Sequence, residues 1–384
     1  MDLTEYSDIA PFSDEEAAAA LTRLSNHPNT KWISKFIFPD KPETFLGEVL
    51  RSIHTVDEFQ SIVMSQAINW VIETSMKAFT YEGVEKLKAL DGRYVAMSNH
   101  RDIILDPALT QIVLQRSNMP ETQICVGDNL LKFKSVELLI RSNRMIKVIR
   151  GISARELYLS SQLLSRYIRE TVTSGTASVW IAQRQGRTKD GLDTTEQGLL
   201  KMLDMSGNGD FVQSFLDLHI VPLSISYEYE PCDILKAREL LISRTRKYVK
   251  GETEDLESIM MGIKQYKGRV HLHIGDPLTE EEIRDAANCD KNDRYQKIRH
   301  AVDQRVICGY KLWKTNYMAY DMVYGGKKYA HLYSADDLET FKSYIAQRIL
   351  MVEPSLDRQE IKDIFLRIYS NPVLSKEELG LPTA

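Results

Sequence analysis

Short apolar runs alternate with longer amphipathic stretches through the middle of this chain. Strand-like runs fall at residues 94–98, 122–126, 145–149, 177–182, 219–227 and 269–274. Helix-like spacing fills residues 107–117, 129–141, 153–173, 194–205 and 232–265 between them. Strands separated by helices of this length pair in parallel, so the pattern predicts an α/β core with a mixed, mostly parallel sheet over residues 85–285. Residues 1–84 read as a helical N-terminal region. Ser13 with Glu16 makes a capping box ahead of Ala17 to Ala20, and residues 56–79 carry one broad apolar helical face through Phe59, Ile62, Val63, Ile68, Val71, Ile72 and Met76. Residues 286–384 read as a helical C-terminal extension, with amphipathic spacing clearest at 341–351 and 358–369 and a frayed tail from Leu379.

Composition narrows the classes. Of 384 residues, 43% are hydrophobic and 27% charged, the profile of a globular protein rather than a disordered one. A net charge of −5 argues against nucleic acid as a partner held by overall positive charge. Cys125, Cys232, Cys289 and Cys308 are far apart and form no CxxC, which suggests free thiols in a reducing compartment and no cysteine zinc site. Met1-Asp-Leu-Thr-Glu5 has neither a basic nor an apolar signal region, and no apolar run approaches the roughly 18 residues of a membrane span. The expected location is the cytoplasm, with peripheral contact to the cytoplasmic membrane face. Trp32, Phe36, Phe38 and Phe45, interleaved with Lys31, Lys35 and Lys41, would form the contact surface, or simply pack over one side of the core.

Candidate chemistry concentrates where strands end. After the first run come Asn99-His-Arg-Asp102 and then Asp106-Pro107, a histidine and two carboxylates at a strand-to-helix corner. A neutral histidine oriented by a carboxylate can take the proton of a hydroxyl as that hydroxyl attacks a carbonyl. The same residues admit a structural reading, with Asp106-Pro107 as a helix start and Asp102 closing the turn. Arg150-Gly151 ends the third run where an anion can meet backbone amides, unless Arg150 merely pairs with a local acid. Arg184, Gln185, Gly186, Arg187, Thr188 and Lys189 follow the fourth run as a loop fit to cradle a phosphate, or as a solvated basic loop. The fifth run, 220–227, is apolar and carries Pro222, consistent with plain core and an edge or bulge proline. His100-Arg-Asp102 is not a kinase catalytic loop, because Pro107 stands where that loop needs Asn and no Gly-rich loop precedes it. Nor is residue 153 a serine-hydrolase elbow, since Gly151-Ile-Ser-Ala-Arg155 lacks the second glycine.

In order, these blocks resemble the glycerolipid acyltransferase family, the glycerol-3-phosphate and 1-acylglycerol-3-phosphate acyltransferases, over residues 85–285. That family carries a His-x4-Asp block, an Ile-Arg-Arg-like strand end, a Glu-Gly-x-Arg-Ser block and an apolar block with proline. Val270 to Leu278 is similar to its closing strand, and the chain looks most like a soluble bacterial branch with His-Arg-Asp in the first block. The resemblance implies His100 as general base, Asp106 or Asp102 orienting it, and Arg101, Arg150, Gln185, Gly186, Arg187, Thr188 and Lys189 binding the acceptor. It implies an acyl-CoA or acyl-carrier-protein donor, a phosphorylated glycerol acceptor, no cofactor and no metal. His100 to Asp106 is one residue longer than the family spacing, and Gln185 stands where the family has Glu. Asp106 is the preferred partner because the apolar helix follows it. These two departures also motivate a rival reading, a catalytically weak lipid-binding protein on the same fold.

Overall fold

A computed structural model describes residues 4–131, 134–150 and 153–383. Gly151, expected beside Arg150, lies outside the described residues, as do the first three residues, Ala384 and the side chain of Phe36. The strands are β1 (Met76–Glu82), β2 (Val95–Ser98), β3 (Gln123–Gly127), β4 (Met145–Val148), β5 (Val179–Ala182), β6 (Ile220–Tyr227) and β7 (Gly268–Ile274). They form one sheet in the order β1-β7-β6-β2-β5-β3-β4. β6, β2, β5, β3 and β4 run parallel; β7 is antiparallel to β6, and β1 is parallel to β7. The sheet is therefore mixed and mostly parallel, flanked by helices and followed by further helices, as the alternation predicts.

Both faces are covered, which is why the strands read as continuous apolar runs. On one face Val95, Met97, Val179 and Ile181 pack with Leu164, Tyr167 and Ile168 of the helix Ala154–Thr173 and with Ile298, Val302 and Val306 of the helix Asp293–Gly309. On the other, Ala96, Trp180, Leu223 and Leu272 pack with Leu105, Leu109 and Val113 of the helix Leu105–Arg116. The Asp293–Gly309 helix, at the start of the C-terminal extension, packs into this core. Helices Asp233–Thr245, Lys314–Tyr324, Ala335–Ile349 and Arg358–Glu378 build a further core around Phe341, Phe365 and Tyr369. Pro222 falls just before β6 begins its ladder with β7 at Leu223, where a missing N–H is tolerated.

The structure corrects two boundaries. Residues 56–79 are not one helix: Val56–Phe59, a π-helical turn Gln60–Met64 and Ser65–Ser75 are followed by β1. The sheet therefore starts inside the region read as helical, before residue 85. Phe79 and Tyr81 alternate with Thr80 and Glu82, but what makes this stretch a strand is its pairing with β7, some 190 residues downstream. The stretch 232–265 is two helices, Asp233–Thr245 and Glu254–Lys264, broken by a polar segment that contains Gly251.

Candidate active site

Because β2, β3, β4, β5 and β6 are mutually parallel, their carboxyl ends lie along one edge, where open α/β sheets bind ligands. The turn after β2 carries His100, the end of β4 carries Arg150, the loop after β5 carries residues 183–191, and β6 ends on Tyr227.

His100 Nδ1 lies 2.9 Å from Asp106 Oδ2. That oxygen also accepts from the Arg101 N–H (2.6 Å) and the Asp102 N–H (2.8 Å), while Asp106 Oδ1 accepts from the Tyr227 hydroxyl (2.8 Å). This buried carboxylate thus has donors on both oxygens. It fixes the proton of His100 on Nδ1 and leaves the Nε2 lone pair free. The ring meets Trp180 edge-on at 5.8 Å between centroids, and the side chain keeps 15% of its surface open. Burial and the neighbouring Asp106 push the Tyr227 hydroxyl well above its ordinary pKa, so it stays a donor.

Asp102 does not reach His100. Its Oδ1 accepts from the Ile104 N–H and the Leu105 N–H, both at 2.9 Å, closing the turn that starts the Leu105–Arg116 helix. That closed turn absorbs the extra residue between His100 and Asp106. Asp102 Oδ2 faces Gly262 of the Glu254–Lys264 helix, where a Cβ would stand only 2.2 Å away.

The turn is anchored from behind. Arg101, expected at the acceptor, is instead fully buried and engaged by Asp193 at 2.5 Å, Glu230 at 3.4 Å and the Gly191 carbonyl at 3.2 Å, over the ring of Tyr310. Lys236 completes the network, bonding Glu230 at 2.6 Å and the Arg101 carbonyl at 2.7 Å. Two cations and two anions balance there, which is what makes their burial tolerable. Thr188 is also internal: its N–H donates to the His100 carbonyl at 2.6 Å and its hydroxyl to Asp193 at 3.0 Å. Asn99 is likewise satisfied, bridging β2 to both polar groups of Ile225. Arg101 and Thr188 are thus positioning residues rather than substrate contacts.

The remaining cations gather around Asp255. Asp255 is bonded by Lys250 (2.6 Å) and Asn129 (3.0 Å), and Arg150 and Arg187 both act on its charge. Arg187 is buried; its Nη2 donates to Ser258 at 3.1 Å, and Nη1 has no partner among the described residues. Burial lowers the pKa of Arg150, against the pull of Asp128. Lys189 pairs with Glu239, and burial, with Lys250 and Arg187 nearby, lowers its pKa to about 8. Gln185 is exposed, and Gly186 takes a positive φ of 73° that favours glycine in the loop. Arg150, Arg184 and Gln185 also line a cavity of about 170 Å³ whose walls include Ile149, Leu157, Ile181, Leu199 and Met202. His100 does not line it.

Sequence reasoning missed Tyr227, Asp193, Glu230, Lys236 and Asp255. Tyr227 had a signal, as a hydroxyl-bearing residue ending an apolar strand at the same edge. The others lie on separate elements and carry none.

A histidine–carboxylate pair at this edge can take a proton from a hydroxyl. The acyltransferase family model matches residues 78–226. Among curated proteins, dihydroxyacetone phosphate acyltransferase of Bos taurus is 24% identical over 201 residues, covering 52% of this chain and 28% of that protein. The Homo sapiens protein of the same name is 23% identical over 227 residues, covering 58% and 32%. The chain thus spans under a third of the length of these relatives. Among solved structures, the 1-acyl-sn-glycerophosphate (LPA) acyltransferase PlsC of Thermotoga maritima aligns with 76% of this chain and 93% of its own, at 14% identity and a TM-score of 0.38. Residues 78–226 are thus similar to an acyltransferase domain.

Proposed function

We propose that this protein moves a fatty acyl group from an acyl thioester, acyl-CoA or acyl-carrier protein, to a hydroxyl of glycerol 3-phosphate or 1-acylglycerol 3-phosphate, in phospholipid synthesis. The observation that carries the reading is the His100–Asp106 pair at 2.9 Å, with the carboxylate fixed by three further donors. In this mechanism His100 Nε2 takes the acceptor hydroxyl's proton as the oxygen attacks the thioester carbonyl carbon. The C–S bond then breaks, and the departing thiolate recovers the proton from the imidazolium. Asp106 stabilises that cation, with no covalent acyl-enzyme required. Arg187, with its unpartnered Nη1, Arg150 and Lys189 hold the acceptor's phosphate. The curated relatives are named for dihydroxyacetone phosphate, which makes it a third acceptor to test.

On this reading the protein works in the cytoplasm, at a membrane surface. No helix among the described residues is long and apolar enough to cross a membrane. Trp32, 58% exposed on the helix Thr30–Ile37, supports a surface contact, whereas Phe38 and Phe45 pack on each other at 5.2 Å.

The test is ester formation by the purified protein from labelled acyl-CoA and acyl-carrier protein on the three acceptors. His100→Ala should abolish turnover and leave the melting temperature unchanged. Equal turnover in that variant refutes His100 as the base, and no ester from any pair favours the lipid-binding alternative.

A further inference from the structure

His271 and His273 alternate along β7 with Val270, Leu272 and Ile274. The three apolar residues pack into the core with Trp180, so the two imidazoles emerge on the opposite face of the sheet from the one where His100 meets Trp180. The register with β1, Thr80 opposite His271 and Glu82 opposite His273, brings Thr80 and Glu82 to that same face.

Glu82 Oε1 stands 2.8 Å from His273 Nδ1 and 3.4 Å from His271 Nε2, and the three donor atoms all lie within 4.8 Å of one another. A tetrahedral zinc ion bound by imidazole nitrogen and carboxylate oxygen sets its donors about 3.4 Å apart.

The proton arrangement points the same way. The Thr80 hydroxyl donates to the Val270 carbonyl at 3.4 Å and lies 2.8 Å from His271 Nδ1. With a metal ion on Nε2, His271 carries its proton on Nδ1, where the threonine oxygen can accept it while the hydroxyl proton goes to the Val270 carbonyl. An imidazole whose second nitrogen donates to a fixed oxygen is how metal-binding histidines are oriented. The His273 ring lies so close to Gly309 that a Cβ there would come within 2.3 Å of it. The Glu82 side chain is 61% exposed, so an ion can enter from solvent and keep a water in its fourth position.

We propose that Glu82, His271 and His273 bind a zinc-class divalent metal ion that clips the edge strand β1 to β7. The site lies across the sheet from His100 and does not depend on the acyl-transfer reading.

The experiment titrates zinc chloride into the chelator-treated full-length protein by calorimetry, with a thermal melt of each sample. One zinc ion per chain is expected, together with a rise in melting temperature. Glu82→Gln, an exposed change that keeps the fold, should weaken binding at least tenfold. Thr80→Val, which touches no ligand atom, should weaken it roughly 10–100-fold. Cobalt in place of zinc should give the visible absorption of a tetrahedral site. Wild-type affinity no higher than that of the His271→Ala/His273→Ala double variant, or affinity unchanged in Thr80→Val, overturns the proposal.

Discussion

Replacing Asp106 by Asn separates the charge of this carboxylate from its geometry. With the amide oxygen at the Oδ2 position, the His100 Nδ1–H, Arg101 N–H and Asp102 N–H keep their acceptor. The amide nitrogen then faces the Tyr227 hydroxyl, which can turn to accept. The turn should survive. What is lost is the attraction between the carboxylate and the imidazolium that forms as His100 takes the proton. At about 4 Å between charge centres and an effective dielectric of about 20, that attraction is about 4 kcal/mol. With a tenfold change in rate per ~1.4 kcal/mol, and the amide dipole retaining part of the interaction, kcat should fall about 10²–10³-fold. KM for the acceptor should hold, because the proposed mechanism gives Asp106 no contact with it. The assay is steady-state ester formation with the active donor and acceptor, alongside a thermal melt. Asp102→Asn is the control: its amide oxygen can still accept from Ile104 and Leu105, and activity should stay near wild type. Wild-type kcat in Asp106→Asn, or an equal loss in Asp102→Asn, refutes the assignment.

Two further outcomes test the packing behind the site. Gly262→Ala in a helix interior would ordinarily gain up to ~1 kcal/mol, but here its Cβ would meet Asp102 Oδ2 at 2.2 Å. A net loss of about 1–3 kcal/mol in urea unfolding is expected, with lower kcat because the displaced turn carries His100; an equally stable variant would contradict the contact. Lys267 is buried among neutral acceptors, Ser75, Ile263 and Gln265, and burial lowers its pKa to about 8. An unfolded lysine keeps its proton to about pH 10.4, so between pH 8 and 10 the unfolded chain binds more protons and this group's contribution to stability rises with pH. The stability difference between wild type and Lys267→Met should therefore grow in favour of wild type from pH 8 to 10, and a pH-independent difference refutes it.

The sequence by itself determined the α/β alternation, the positions of six of the strands and the helix start at Ser13, where the capping box forms as read. These are local features, a period of two against 3.6 and a side chain reaching three residues ahead, so neighbouring residues suffice to specify them. It also put His100, Arg150 and the 183–191 loop at strand ends, which a parallel sheet then brings to one edge. The tertiary structure decided the rest. β1 exists because β7 pairs with it, and its sequence alone reads as helix. Asp106 rather than Asp102 meets His100 because Asp102 uses one oxygen on the turn's own amides, leaving the next carboxylate to bend back. Arg101 and Thr188 look from the sequence like substrate contacts, yet Asp193, Glu230 and Lys236, arriving from other elements, turn them into the supports of the site. Which polar residue faces a ligand and which faces the core depends on partners about 90 to 130 residues away, and no local pattern encodes that.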